Sequence, residues 1–181
     1  MKGKLIVVSG PSGAGKSTVT KIVRDKLHIP LTISATTRKP RQDETDGKDY
    51  YFLTEEEFMK RVNNDEFFEW AKVHDNYYGT LKSEVEKKRE EGNTVLLEID
   101  VQGGLIVKKK DPSAVLVFFK APDDKELEGR LRNRGSDSEE IIRKRLENAL
   151  KEMEYEKEYD YSIINISIDQ SYKELSDIIN H

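Results

Sequence analysis

Leu5-Ile6-Val7-Val8-Ser9-Gly10-Pro11-Ser12-Gly13-Ala14-Gly15-Lys16-Ser17 is the stretch on which the fold turns. Its first four residues form an unbroken apolar run rich in β-branched side chains, which predicts a strand buried on both faces. After Ser17, apolar residues recur at Val19, Ile22, Val23 and Leu27, the spacing of an amphipathic helix that stops before Pro30. Between them, Gly10-x-x-x-x-Gly15-Lys16-Ser17 has the pattern in which consecutive backbone N–H groups wrap a polyphosphate at a helix N-terminus. In this reading Gly10, Pro11, Ser12, Gly13, Ala14, Gly15, Lys16 and Ser17 hold ATP. Lys16 reaches the β- and γ-phosphates, and the Ser17 hydroxyl ligates Mg²⁺.

Working outward, residues 33–92 change character: short strand patterns, a turn signal at Asp46-Gly47 and many aromatics, which predict a small inserted subdomain. Within it, Thr54 with Glu57 and Ser83 with Glu86 are candidate capping boxes for two helices, the second stopping at Gly92. Thr94–Asp100 and Ala114–Phe119 read as two more buried strands with a short helix between them, and Lys108-Lys109-Lys110 as its solvated end. Asp123 is the candidate N-cap for a helix carrying Arg130 and Arg134 on one face, and a second helix follows with Arg143 and Arg145. Ser162–Asn165 predicts a last strand, and Tyr172, Leu175, Ile178 and Ile179 a closing helix. Alternating strands and helices with one insertion predict an open α/β fold, a parallel sheet flanked by helices.

The bulk numbers exclude several classes. The 181 residues suit one domain, and Lys+Arg 31 against Asp+Glu 35 leaves a net charge of -4, unlike a general nucleic-acid binder. With no cysteine there is no disulfide, thiolate zinc site or cysteine nucleophile. Met1-Lys2-Gly3-Lys4 precedes only four apolar residues, too few for a signal-peptide core, and no apolar run approaches membrane-spanning length, so a cytoplasmic protein with no membrane partner is expected. The oligomeric state is not readable.

A phosphate loop alone does not separate a hydrolase from a kinase. Asp100 closes an apolar strand where such proteins place an acidic residue near the metal, in reach of it through water, and Glu98 lies on the same strand face. Ser34-Ala35-Thr36-Thr37-Arg38-Lys39-Pro40-Arg41 sets two arginines three apart where Pro40 disfavours helix, so both can meet one phosphate dianion, but this pair alone also reads as a solvated loop. The wider set of motifs decides between the two. Besides the phosphate loop and that segment, it comprises Asp46-Gly47-Lys48-Asp49-Tyr50-Tyr51-Phe52, Phe68-Glu69-Trp70-Ala71, Asn76-Tyr77-Tyr78-Gly79-Thr80, Leu97-Glu98-Ile99-Asp100-Val101-Gln102-Gly103 and Arg130-Leu131-x-x-Arg134-Gly135. Across nearly its whole length the chain resembles the guanylate kinase family.

That resemblance implies a P-loop NTPase-type core (about residues 1–32, 93–123 and 153–181), a GMP-binding insertion (about 33–92) and a helical lid (about 124–152). It further implies that Arg38, Arg41, Tyr50 and Tyr78 bind the GMP phosphate and that Ser34, Glu69, Thr80, Glu98 and Asp100 lie around the guanine. Arg130, Arg134 and Arg145 then close on the ATP phosphates, with Asn165 near the adenine. Lys16, Arg38, Arg134 and Arg145 are the catalytic candidates for Mg²⁺-dependent phosphoryl transfer from ATP to GMP or dGMP. Guanine offers N1–H and N2–H₂ side by side, and one carboxylate such as Glu69 accepts both. Adenine would leave that carboxylate unpaired, which supplies discrimination of roughly 10⁴-fold. Two departures stand out: Gln42-Asp43 before Glu44, where a small residue or Pro and then Gly are common, and Ile166-Ser167 after Asn165, where acidic residues are common. A catalytically inactive interaction module of the same fold, or a kinase for a phosphorylated sugar, is the competing reading.

Overall fold

The structure is a computed structural model that describes residues 1–73, 75–133, 135 and 137–181. The strand β1 (Leu5–Ser9) is central to a parallel sheet of order β6-β1-β7-β8, with β6 Val95–Glu98, β7 Val115–Lys120 and β8 Tyr161–Ile164. Its alternation divides the core. Leu5 and Val7 face one cluster with Val85, Val101 and Val107, whereas Ile6 and Val8 face the other with Val19, Val23, Leu175 and Ile179. Each such side chain taken out of water contributes about 1.5–3 kcal/mol, which is why this run reads as a central strand rather than a half-exposed one.

The helices that cover the sheet start where small polar residues supply caps. Asp100 caps α4 (Val101–Lys110), Asp123 caps α5 (Asp124–Arg132), Ser138 caps α6 (Glu139–Met153) and Ser167 caps α7 (Ile168–Asn180). In the insertion, α2 (Glu55–Asn63) begins with the expected capping box of Thr54 and Glu57. The second expected box does not form. α3 (Lys82–Glu90) starts one residue before Ser83, with Leu81 at its N-cap and no side-chain cap, because the strand β5 (Asn76–Leu81) runs directly into it.

The insertion has its own mixed sheet, order β3-β2-β5-β4, from β2 Ala35–Thr36, β3 Tyr51–Phe52, β4 Phe67–Val73 and β5 Asn76–Leu81. A separate small core of Ala35, Phe58, Phe67 and Leu81 fills it, with Phe58 stacked on Phe67 at 4.5 Å between ring centres. The β4–β5 pairing carries a bulge: Phe67 faces Leu81, yet Glu69 faces Thr80, so two residues of β4 oppose one of β5 and Glu69 is re-aimed.

The lysine triplet is not simply a solvated helix end. Lys108 donates to the Ala114 carbonyl and pairs with Asp160, and Lys110 donates to the Phe67 carbonyl of the other sheet. Arg89 does similar work without a sequence signal: 5% exposed, it donates to the Gly3 carbonyl at 2.8 Å and closely to Asp111, tying α3 to the chain start and the α4–β7 turn. Among the described residues, no helix is long and apolar enough to cross a membrane.

Candidate active site

The turn after β1 places three glycines at positive φ: Gly10 at 146°, Gly13 at 87° and Gly15 at 86°. At two of these positions a side chain is also excluded by space. A Cβ on Gly10 would lie 2.1 Å from the Phe119 carbonyl oxygen, and one on Gly15 would lie 2.3 Å from Asn165 Nδ2. The loop then opens α1 (Lys16–Leu27), whose N-terminus has no side-chain cap. Its first amides are thus left for an anion, where the helix dipole also favours negative charge. Lys16 Nζ lies back across the loop, donating to the carbonyls of Gly10 at 2.6 Å and Pro11 at 3.1 Å.

Asn165 braces this loop from beneath. Six per cent exposed, it donates from Nδ2 to the Ala14 carbonyl at 2.8 Å and accepts from Ser171 Oγ at 2.7 Å. Its own carbonyl accepts from Arg130 Nη2 at 2.9 Å. The residue expected near the adenine is therefore a buried strut between loop and sheet.

A cavity of about 430 Å³ lies over the loop, with Lys16, Ser17, Glu98, Asp100 and Glu152 in its wall. Ser17 Oγ donates to Glu98 Oε1 at 2.5 Å, and Thr20 Oγ1 donates to Glu98 Oε2 at 3.0 Å. Glu98, expected beside the base, is bonded on the phosphate side. Glu152, from the last turn of α6, had no sequence signal. Burial raises its carboxyl above the usual range, with Lys16 opposing and Asp100 adding to the shift.

The second anion site is built from side chains. Arg38 donates from Nη2 to both carboxylate oxygens of Glu44 at 2.9 Å, and its guanidinium stands 5.4 Å from the centre of the Tyr50 ring. Tyr50 and Tyr78 meet edge to face at 6.2 Å. The Arg38 hydrogen bond, ahead of the other contributions, holds the Glu44 carboxyl below its ordinary range despite partial desolvation. Arg41 is exposed, with its backbone N–H donating to Glu44 at 3.1 Å; the Glu44 N–H donates back to the Arg41 carbonyl, closing a turn that accommodates Gln42 and Asp43. Ser34 is half-buried at the start of this segment, its carbonyl accepting from the Tyr51 N–H. Glu44 is a further residue that sequence reasoning passed over.

Glu69 is 8% exposed and accepts from Thr80 Oγ1 at 2.7 Å. Burial pushes its carboxyl up, Asp100 pushes the same way, and the Thr80 hydrogen bond and Lys110 pull it back. Asp100, two residues past β6, accepts from the Gly103 N–H at 3.1 Å as the cap of α4. Both carboxylates crowd Gly103, where a Cβ would lie 2.7 Å from Asp100 Oδ1 and 3.3 Å from Glu69 Oε2. Asp100 thereby stands in the phosphate-loop cavity and against the carboxylate of the other sheet.

The α5–α6 hairpin packs Leu127, Leu131 and Ala149 together with Ala121. Arg130 is tied to the loop through Asn165, and Arg145 Nη1 is 2.8 Å from Asp137 Oδ2. Arg134 lies outside the described residues.

Four likenesses bear on what this arrangement does. The family model described as guanylate kinase matches residues 2–181. A guanylate kinase of Fusobacterium nucleatum subsp. nucleatum is 60% identical over 179 residues, covering 99% of this chain and 97% of the relative. That of Caldanaerobacter subterraneus subsp. tengcongensis is 49% identical, covering 98% of this chain and 87% of its own. The crystal structure of guanylate kinase from Anaplasma phagocytophilum superposes with a TM-score of 0.76 at 32% identity, covering 99% of this chain and 85% of that one.

Proposed function

The chain belongs to the guanylate kinase family, and from that premise we infer that it is a nucleoside monophosphate kinase, transferring the γ-phosphoryl group of ATP to GMP to give ADP and GDP. The observation that carries the reading is Asp100, which borders the polyphosphate cavity on one side and the buried Glu69 on the other. Donor and acceptor sites thus adjoin, as in-line transfer requires. The intact phosphate loop, with an uncapped helix behind it, speaks against the inactive interaction module.

In this proposal Gly10 to Ser17 with Arg130, Arg134 and Arg145 hold the ATP phosphates. Arg38, Arg41, Tyr50 and Tyr78 hold the GMP phosphate, and Ser34, Glu69, Thr80 and Asp100 read the base. Core, insertion and lid divide the chain as expected above, which the two sheets and the helical hairpin support. Mg²⁺ would be held by Ser17 with Glu98 and Asp100 nearby. The hard oxygen donors around that cavity fit it, and few protein ligands are needed when the ion rides on phosphates and water. When bound it supplies charge neutralisation at the phosphates. Fixed arginines add to this, because the phosphoryl group in flight spreads negative charge but asks for little proton transfer. A cytoplasmic setting, where ATP and GMP are available, completes the proposal.

A coupled assay with GMP, dGMP, AMP and UMP, with and without EDTA, tests it. Turnover with GMP that EDTA abolishes is expected. Turnover with AMP or UMP and none with GMP would overturn the assignment.

A further inference from the structure

Gly103 and Gly104 sit side by side in the first turn of α4, and each lacks a side chain for a different reason. A Cβ on Gly104 would lie 2.3 Å from the hydroxyl of Tyr159, which is buried and donates to the Val101 carbonyl at 2.9 Å. That is a packing requirement of the core. At Gly103 the atoms in the way are instead Asp100 Oδ1 and Glu69 Oε2, with Ile99 Cδ1 next at 3.4 Å. The backbone does not require glycine here, since Gly103 is absent from the positive-φ glycines and lies within a helix, where alanine is preferred.

We propose that Gly103 is a specificity-determining residue for the acceptor: its missing side chain is what lets the carboxylates of Glu69 and Asp100 converge over the first turn of α4. The proposal rests on the reading that these two carboxylates meet the guanine edge. A methyl group at 103 cannot share space with Asp100 Oδ1, and the cheapest relief is rotation of that carboxylate, a side-chain end, away from its cap position. It also presses on Glu69, whose other oxygen is fixed by Thr80. The fold tolerates this because no backbone atom is struck. The base-reading geometry does not, because two like charges held together on α4 and β4 leave little slack for a displaced partner.

The test compares Gly103→Ala with Gly104→Ala. For Gly103→Ala the expected result is a melting temperature within a few degrees of the parent, a GMP KM raised by about tenfold or more, and an ATP KM within about twofold. Gly104→Ala is expected to lower the melting temperature instead. In an Asp100→Ala background, which removes the atom first struck, Gly103→Ala should cost less than about threefold further. Calorimetric titration with GMP gives the dissociation constant of the folded fraction even where a variant folds incompletely. An unchanged GMP constant, or a loss that simply multiplies that of Asp100→Ala, overturns the proposal. If the parent protein fails to phosphorylate GMP, the functional reading itself falls; if the parent succeeds and Gly103→Ala behaves like it, only this proposal falls.

Discussion

The two anion-binding regions are made of different materials. The loop between β1 and α1 is made of backbone: it opens a helix with no side-chain cap, its glycines adopt conformations side chains resist, and Phe119 and Asn165 of the core fix its path. The region around Arg38 is made of side chains from a loop and two short strands, and its principal cation is already bonded to Glu44. A backbone site is formed when the core folds and needs no rotamer to be chosen. A side-chain site must be oriented by neighbours, and carboxylates such as Glu44 and Thr80-bonded Glu69 do that orienting.

The largest expected effect strikes the lysine of the backbone site. Lys16→Met should lower kcat by about 10²–10³-fold with an unaltered thermal transition, because charge at the transferring phosphate loses its partner while the loop keeps its shape. Steady-state kinetics beside a melting curve check this; near-normal turnover would refute the role of Lys16. Next comes Glu69→Gln, which should lower kcat/KM for GMP by about 10²-fold with the ATP KM nearly unchanged, since the amide cannot accept from both donors of guanine. Equal losses toward both substrates would contradict a base-reading role.

The brace beneath the loop gives a smaller effect, in stability. Asn165→Ala leaves the Ala14 carbonyl and the Ser171 hydroxyl short of a partner, which should cost about 2 kcal/mol and lower the melting temperature by about 4–8 °C. The ATP KM should rise with it, and a variant as stable as the parent would show that the loop is held by other means. Glu44→Ala tests the side-chain site: freed of its partner, Arg38 loses orientation, and the GMP KM should rise by about tenfold. A fall in that KM would instead make Glu44 a competitor of the phosphate.

The smallest effect concerns pH. Glu69 binds its proton more tightly folded than unfolded, so its ionisation costs stability as pH rises through its raised folded value. Glu69→Gln should therefore melt higher than the parent at neutral pH, with the gap closing as pH falls toward the ordinary carboxylate range. A gap that is constant across pH would mean that burial of this carboxylate is not what raises it.

The chain's own sequence determined the β1 strand, the phosphate loop and α1, together with the capped helices at Thr54 and Asp123, because each is set by interactions within a few residues. The family resemblance likewise implied that Glu69 and Asp100 lie around one base. What only the tertiary structure decided is how such residues meet. The bulge that brings Glu69 opposite Thr80 depends on cross-strand pairing, and the turn of Glu98 toward Ser17 and Thr20 depends on where α1 packs against β6. That Asn165 braces the phosphate loop follows from the sheet delivering its side chain beneath Ala14. The failed cap at Ser83 has the same origin, since a strand that runs straight into a helix leaves no turn for the hydroxyl to close. Local spacing encodes which atoms are available; the packing of two sheets through α4 sets which of them end within hydrogen-bonding distance.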